Sequence, residues 1–212
     1  MLELQSSVRP AAAIIMAYAE NILKLPGILL AAGAGSRFGG GKLRHPLADG
    51  TPLGVMAARH LLTALPDVLA VVRPGEEELE ALLRAAGCEV TVCAEAVRGM
   101  GCSLAHAIAC RREADGWVIA LADMPSIRPA TIMAVAQALA SGAPLAAPTF
   151  EGRRGHPVGI SARFAAELLA LDGDAGAREL MMTHRQEIVL LDGDDAGVLL
   201  DIDRREDLPR GP

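Results

Sequence analysis

Apolar residues along this chain fall alternately into short unbroken bursts and longer periodic stretches. Ile28 to Ala31 is an aliphatic run between Pro26-Gly27 and Gly33, which predicts a strand buried on both faces. Pro52 to Ala64 instead spaces Leu53, Met56, Ala57 and Leu61 at helical intervals and predicts an amphipathic helix. Val68 to Arg73 reads as a strand ended by Pro74-Gly75. Glu76 to Ala86 reads as a helix with acidic residues in its first turn and Gly87 as its stop. The rhythm continues with a strand over Cys88 to Cys93, a helix over Ser103 to Arg112 with Ser103 as its cap, and a strand over Trp117 to Ala122. A helix over Pro129 to Ala140 and a strand over Leu145 to Pro148 follow. Next come a helix over Ala175 to Thr183 behind a turn capped by Asp174, and closing strands over Ile188 to Leu191 and Val198 to Ile202. Strand and helix alternating in this way imply βαβ units, hence a three-layer α/β/α, Rossmann-like fold with a mostly parallel central sheet. Ligands of such sheets bind beyond the carboxyl ends of the strands.

Length and composition narrow this picture. The 212 residues suit a single domain, read here as residues 27–208 behind an N-terminal extension, 1–26. The extension carries an Ala-rich helical piece, Ala11 to Leu23, and Met16 is an alternative start within it. Hydrophobic residues make up 51 % but aromatic ones only 2 %, so the core must be aliphatic and no aromatic platform exists for stacking single-stranded nucleic acid. A net charge of −6 with no dominant basic run also argues against a nucleic-acid footprint; a bound anion belongs in a local pocket. Cys88, Cys93, Cys102 and Cys110 form no C-x-x-C pair and have no zinc-type histidine spacing, which reads as reduced thiols in a cytoplasmic protein. No apolar run reaches the ~20 residues needed to cross a bilayer, and Ala11 to Ala19 makes a poor signal peptide.

The first strand opens onto Gly33-Ala34-Gly35-Ser36-Arg37-Phe38-Gly39-Gly40-Gly41-Lys42. Glycines let successive backbone amides point into one concavity, and Arg37 and Lys42 add full positive charges, so the loop suits a polyanion. It is not a dinucleotide fingerprint, because Phe38 stands where G-x-G-x-x-G needs its third glycine. Nor is it a P-loop, because Leu43 follows Lys42 where a hydroxyl is required. The second cue is Asp123-Met124-Pro125 at the carboxyl tip of a buried strand. A carboxylate there needs water, a donor or a metal, the plainer alternative being a cap for the helix from Pro129.

The pattern L-x-A-G-x-G-x-R-x(4)-K after a strand resembles the opening of the MobA-like nucleotidyltransferases, and Ala31-Ala32-Gly33 resembles the molybdenum cofactor cytidylyltransferase branch. The likeness extends over residues 27 to 208. Gly99-Met100 with Ser103-Leu104 resembles the G-M-x-x-S-[LI] segment, although Gly101 stands where serine is frequent. Leu121-Ala122-Asp123-Met124-Pro125 resembles L-x-D-M-P, and Arg153 to Val158 resembles R-x-G-H-P-V. Gly173 to Arg178 resembles G-D-x-G-A-R, and Asp201-Ile202-Asp203 resembles the closing D-I-D, with Arg204-Arg205 replacing Thr-Pro.

The resemblance implies a nucleotidyltransferase that moves CMP from CTP to the phosphate of molybdopterin, with residues 27–125 holding the nucleotide and 126–208 the acceptor. Arg37, Lys42 and Asp123 are its candidate catalytic residues. Leu30, Ala31, Ala32, Gly33, Gly35, Gly99, Met100 and Ser103 join Arg37 and Lys42 around the nucleotide. His156 and Arg178 are candidates for the acceptor; a turn capped by Asp174 ahead of the helix is the structural alternative for the Arg178 segment, and both readings can hold together. Mg2+ is expected between Asp123 and Asp203, Asp201 being the weaker second ligand. A molybdenum hydroxylase or its maturation factor is the implied partner. Two other readings stay open: a transferase using CTP or GTP on another phosphorylated acceptor, and a non-catalytic pterin-binding module. A nicotinamide or flavin oxidoreductase lacks the necessary glycine spacing.

Overall fold

A computed structural model describes residues 24–208. The expectations for Ala11 to Leu23 and for Met16 fall outside those residues. The described chain forms an eight-stranded sheet in the order β3-β2-β1-β4-β7-β5-β6, with β8 paired to β5. The strands are β1 (Gly27–Leu30), β2 (Val68–Val72), β3 (Glu89–Val92), β4 (Gly116–Leu121), β5 (Leu145–Phe150), β6 (Arg153–Arg154), β7 (Val158–Ser161) and β8 (Ile188–Asp192). The helices are α1 (Leu53–Ala64), α2 (Glu77–Ala86), α3 (Met100–Cys110), α4 (Pro129–Ala140), α5 (Ala165–Leu169) and α6 (Ala177–Thr183). Strands β1, β2, β3 and β4 run parallel, as do β5 and β8, while β7 enters antiparallel between β4 and β5.

Strand alternation splits the core into two layers, because successive side chains leave opposite faces of the sheet. Leu29, Ala70, Val72, Val118 and Ala120 meet α1, α2 and α4 on one face. Ile28, Leu69, Val71, Trp117 and Ile119 meet α3, α5 and α6 on the other. Trp117, the largest fully buried side chain, satisfies its indole N–H on the Arg111 carbonyl at 3.1 Å. The expected three-layer, mostly parallel fold is therefore the observed one.

Several local expectations change. Helix α3 begins at Met100 rather than Ser103, so Ser103 is a buried residue of its first turns and Gly99 occupies the cap position. Helix α6 begins at Ala177 behind Gly176, and Asp174 does not cap it. The expected strand over Val198 to Ile202 is absent. Asp195 accepts the Gly197 amide at 3.1 Å and pulls Ala196–Leu199 into a 3-10 turn instead. A Cβ at Gly197 would lie 2.3 Å from the Ser126 carbonyl oxygen, so the turn is seated directly on neighbouring backbone. The same Asp195 takes the Arg128 amide at 2.9 Å and the Thr131 hydroxyl at 2.6 Å, so Asp195 and not Asp123 holds the start of α4 in place. Strand β7 was concealed by its length of four residues, one of them Gly159, whose missing Cβ leaves room for Val135 and Leu139 of α4.

Candidate active site

The carboxyl ends of β1, β2 and β4 open into a cleft of about 730 Å³. Leu30, Ala32 and Gly33 leave β1 into its wall, Arg73, Pro74 and Gly75 leave β2, and Leu121 and Asp123 leave β4. Gly99, Met100 and Ser103 at the start of α3 form the far wall. Ala31 lies buried behind this surface, and with Gly35 it lines a small adjoining recess next to Lys42. The glycine loop turns through two short 3-10 segments, with Gly39, Gly40 and Gly41 all in the left-handed region, at φ of 91°, 90° and 62°.

Lys42 is the focus of the site. It is only 9 % exposed, and its ammonium donates to Asp123 Oδ2 at 2.8 Å while lying 3.5 Å from Asp203 Oδ1. Arg37 donates to the other oxygen of Asp203 at 2.6 Å. Two cations and two carboxylates thus balance at the head of the cleft. Burial of the ammonium is tolerated because both carboxylates remain partly open to water and receive its charge. Asp203 is brought there by the Ile202 amide, which donates to the Asp123 carbonyl at 2.9 Å. Asp201 is exposed and makes no contact with Lys42 among the described residues. The segment is not a strand, so it is this contact, and not strand alternation, that separates the two.

Among the described residues no group of three or more His, Cys, Asp or Glu side chains forms a ready-made metal cage. The two carboxylates on Lys42 nevertheless suit a hard cation such as Mg2+, which takes one or two carboxylates and completes its shell with water and substrate phosphate.

His156 is half-buried behind the aspartates. Its amide donates to the Val198 carbonyl at 3.0 Å. Burial pushes its imidazole below the ordinary value, and Arg154 acts in the same direction, whereas the charges of Asp123 and Asp201 oppose them. The ring therefore favours its neutral form more than a free imidazole does, in the neighbourhood of Asp123 and Asp201. Arg178, by contrast, is exposed on α6 and does not line the cleft.

The sequence reading missed three charged cleft residues. Arg73 and Glu76 stand together on the wall beyond β2, the guanidinium Nε and Nη2 donating to Glu76 Oε1 at 3.0 and 2.5 Å. Their position at a strand end was the available signal. Asp174 lines the opposite side and had been read as a helix cap. The missing serine at position 101 now has a reason: a Cβ there would come within 3.0 Å of the backbone oxygens of Gly173, Ala175 and Asp172.

Comparison with known proteins gives the family and the fold. Residues 27–188 match the family described as MobA-like NTP transferase domain. Rv0371c from Mycobacterium tuberculosis H37Rv is similar, at 28 % identity and a TM-score of 0.75 over 86 % of this chain and 94 % of that one. A structure of Rv0371c in complex with manganese gives 28 % identity and a TM-score of 0.72 over the same shares. A nucleotidyl transferase from Methanothermobacter, Mth528, shares the fold at 20 % identity and a TM-score of 0.72, covering 86 % of this chain and 93 % of that one. A search of curated proteins returns no match.

Proposed function

The chain belongs to the MobA-like NTP transferase family, and from that membership we propose that it transfers CMP from CTP to the terminal phosphate of molybdopterin. The observation that carries this reading is the Lys42, Asp123, Asp203 and Arg37 cluster at the head of a cleft large enough for a nucleotide. In the reaction an acceptor phosphate oxygen attacks the α-phosphorus of the nucleotide, the bond to the β-phosphate oxygen breaks, and pyrophosphate leaves. The acceptor is already anionic, so the barrier lies in bringing negative charges together rather than in removing a proton. Lys42, Arg37 and the amides of the glycine loop take the charge of the triphosphate and of the departing pyrophosphate.

Asp123 and Asp203 are the residues that would hold Mg2+, which when bound supplies further neutralisation of phosphate charge. The manganese complex of Rv0371c supports a divalent ion in this family. His156 and the exposed Arg153 and Arg154 beside it offer a neutral donor and two positive charges to the acceptor phosphate. Choice of cytosine is assigned to the wall formed by Ala32, whose methyl group narrows the nucleotide site where a glycine would widen it. Among the described residues no helix is long and apolar enough to cross a membrane, consistent with two water-soluble substrates. The recipient of the product is expected to be a molybdenum hydroxylase or its maturation factor, working in the cytoplasm.

Titration calorimetry with CTP and with GTP, each with Mg2+, tests the nucleotide half of this reading. Preference for CTP by about tenfold, 1.4 kcal/mol, is the expected result. Preference for GTP would move the chain to a guanylyl acceptor chemistry. Absence of binding to both would leave a pterin-binding module as the better account.

A further inference from the structure

Asp174 reaches the cleft on a turn whose seat is unusually well defined. Asp172 anchors it, its Oδ1 accepting the Gly173 amide at 2.7 Å and the Cys102 thiol at 2.9 Å, and its Oδ2 accepting the Arg98 guanidinium. The Gly101 amide donates to the Gly173 carbonyl at 2.8 Å. The start of α3 has been cleared for this turn. A Cβ at Gly99 would lie 2.3 Å from the Gly173 carbonyl carbon, and one at Gly101 would lie 2.9 Å from its oxygen. The turn also sets the Asp174 carboxylate directly over Gly99, with Oδ1 2.5 Å from where a Cβ would stand.

So placed, Asp174 lines the cleft beside Gly99, Met100 and Ser103, and among the described residues its side chain has no hydrogen-bond or ion-pair partner. Every other acidic side chain lining the cleft is partnered: Asp123 by Lys42, and Glu76 by Arg73. A free carboxylate repels phosphate, and the phosphates are already claimed by Lys42 and Arg37. It must therefore serve an uncharged donor on the nucleoside part of the ligand. Two neighbouring hydroxyls on one sugar ring match the two oxygens of a carboxylate better than a single exocyclic amine does.

We infer that Asp174 accepts hydrogen bonds from the ribose hydroxyls of the bound nucleotide and makes the chain selective for ribonucleotides over deoxyribonucleotides. This rests on the nucleotide-binding reading above. The test is calorimetry of the whole chain and of its Asp174→Ala and Asp174→Asn variants with CTP and with 2′-deoxy-CTP, each with Mg2+; the side chain is exposed, and thermal melts check that the variants stay folded. The unaltered protein is expected to favour CTP by about tenfold, the worth of one hydrogen bond to a charged group. Asp174→Ala should weaken CTP by more than it weakens 2′-deoxy-CTP, which has only its 3′-hydroxyl contact to lose, so that the preference for CTP collapses toward one, with Asp174→Asn falling between. A ratio unaltered in Asp174→Ala overturns the inference while sparing the transferase reading. Equal loss of both nucleotides would place Asp174 on the base and overturn it also. Failure of the unaltered protein to bind either nucleotide overturns both readings together.

Discussion

Residues 27–125 and 126–208 contribute to one cleft by different physical means. The first region sends Ala32, Arg73 and Asp123 from the ends of β1, β2 and β4, three adjacent strands whose register is fixed by the parallel ladder. The second region approaches with irregular chain: Asp174 on a loop lines the cleft, Asp203 after a 3-10 turn reaches Lys42, and His156 lies behind, beside the short β7. Strand ends inherit their positions from the sheet. Irregular chain must be held by single backbone contacts, such as Ile202 on Asp123, His156 on Val198 and Gly101 on Gly173. The first region therefore supplies Lys42 and Arg37 from the glycine loop and Asp123 from the end of β4, and the second region depends on close backbone approach.

The largest effect expected from this contrast is on turnover. Lys42→Ala and Asp123→Asn should each lower kcat by about two decades, roughly 3 kcal/mol, as for loss of one preorganised charge-stabilising group, while circular dichroism still shows a folded chain. Pyrophosphate release driven by CTP and Mg2+ is the assay. Near-normal kcat in either variant would remove that residue from the chemistry and with it the claim that the first region carries the reaction.

The same contrast decides what could be read from the sequence. The glycine loop, Asp123 and the helices over Leu53–Ala64 and Pro129–Ala140 were legible because unbroken apolar runs and helical periodicity report burial directly. Arg73 and Glu76 were overlooked although they follow a strand that was found, since one arginine beside one glutamate looks like an ordinary surface pair. In the second region the failures share a cause. Val198 to Ile202 carries strand-like residues, yet Asp195 and Gly197 commit it to a turn through contacts with Arg128, Thr131 and Ser126, which are distant in sequence. Asp174 looked like a helix cap because the spacing permitted it, and only the packing of Gly173 on Gly99 and Gly101 shows that it faces the cleft.

A pair of glycine substitutions would sharpen the distinction. Gly197→Ala drives a methyl group to 2.3 Å from the Ser126 carbonyl oxygen, whereas a Cβ at Gly33 meets nothing within 4 Å. Overpacking of this kind costs about 1–3 kcal/mol, so Gly197→Ala should melt several degrees lower. Gly33→Ala should melt like the parent protein and show its effect, if the loop amides hold phosphate, as weaker CTP binding in calorimetry. Equal melting temperatures for the two would mean that the second region yields more easily than its close contacts imply.

His156 provides a pH-dependent test confined to the second region. Folding lowers its pKa, chiefly through burial with a contribution from Arg154, against the pull of Asp123 and Asp201. The unfolded chain therefore binds a proton at His156 at a higher pH than the folded chain does. Its contribution to stability is fully present above the ordinary imidazole value and declines as pH falls from there toward the lowered folded value. In His156→Asn that segment of the stability curve, measured by urea unfolding across pH 5 to 7.5 in steps of about half a unit, should flatten. A slope unchanged in the variant would assign the pH dependence to the neighbouring carboxylates.

The smallest expected effect lies where the two regions touch outside the cleft. Arg205, one of the two arginines that replace Thr-Pro, places its guanidinium 5.3 Å from the centre of the Phe38 ring in the glycine loop, on the same segment that pairs Asp203 with Arg37. Phe38 is itself buried and also meets His45 edge-on at 5.2 Å between centroids, so the aromatic face is fixed before the arginine arrives. An exposed cation–π contact of this kind is worth about 0.5–1 kcal/mol. Arg205→Ala, Phe38→Leu and the double variant would isolate it, because the loss of ring packing in Phe38→Leu is common to both sides of the cycle and cancels. A coupling near that size, persisting in 0.5 M salt where the Arg37–Asp203 pair is screened, would show that the closing segment grips the loop through the ring as well as through charge. Absence of coupling would leave the closing segment held by the pairs of Asp203 with Arg37 and Lys42 and by the Ile202 amide on the Asp123 carbonyl.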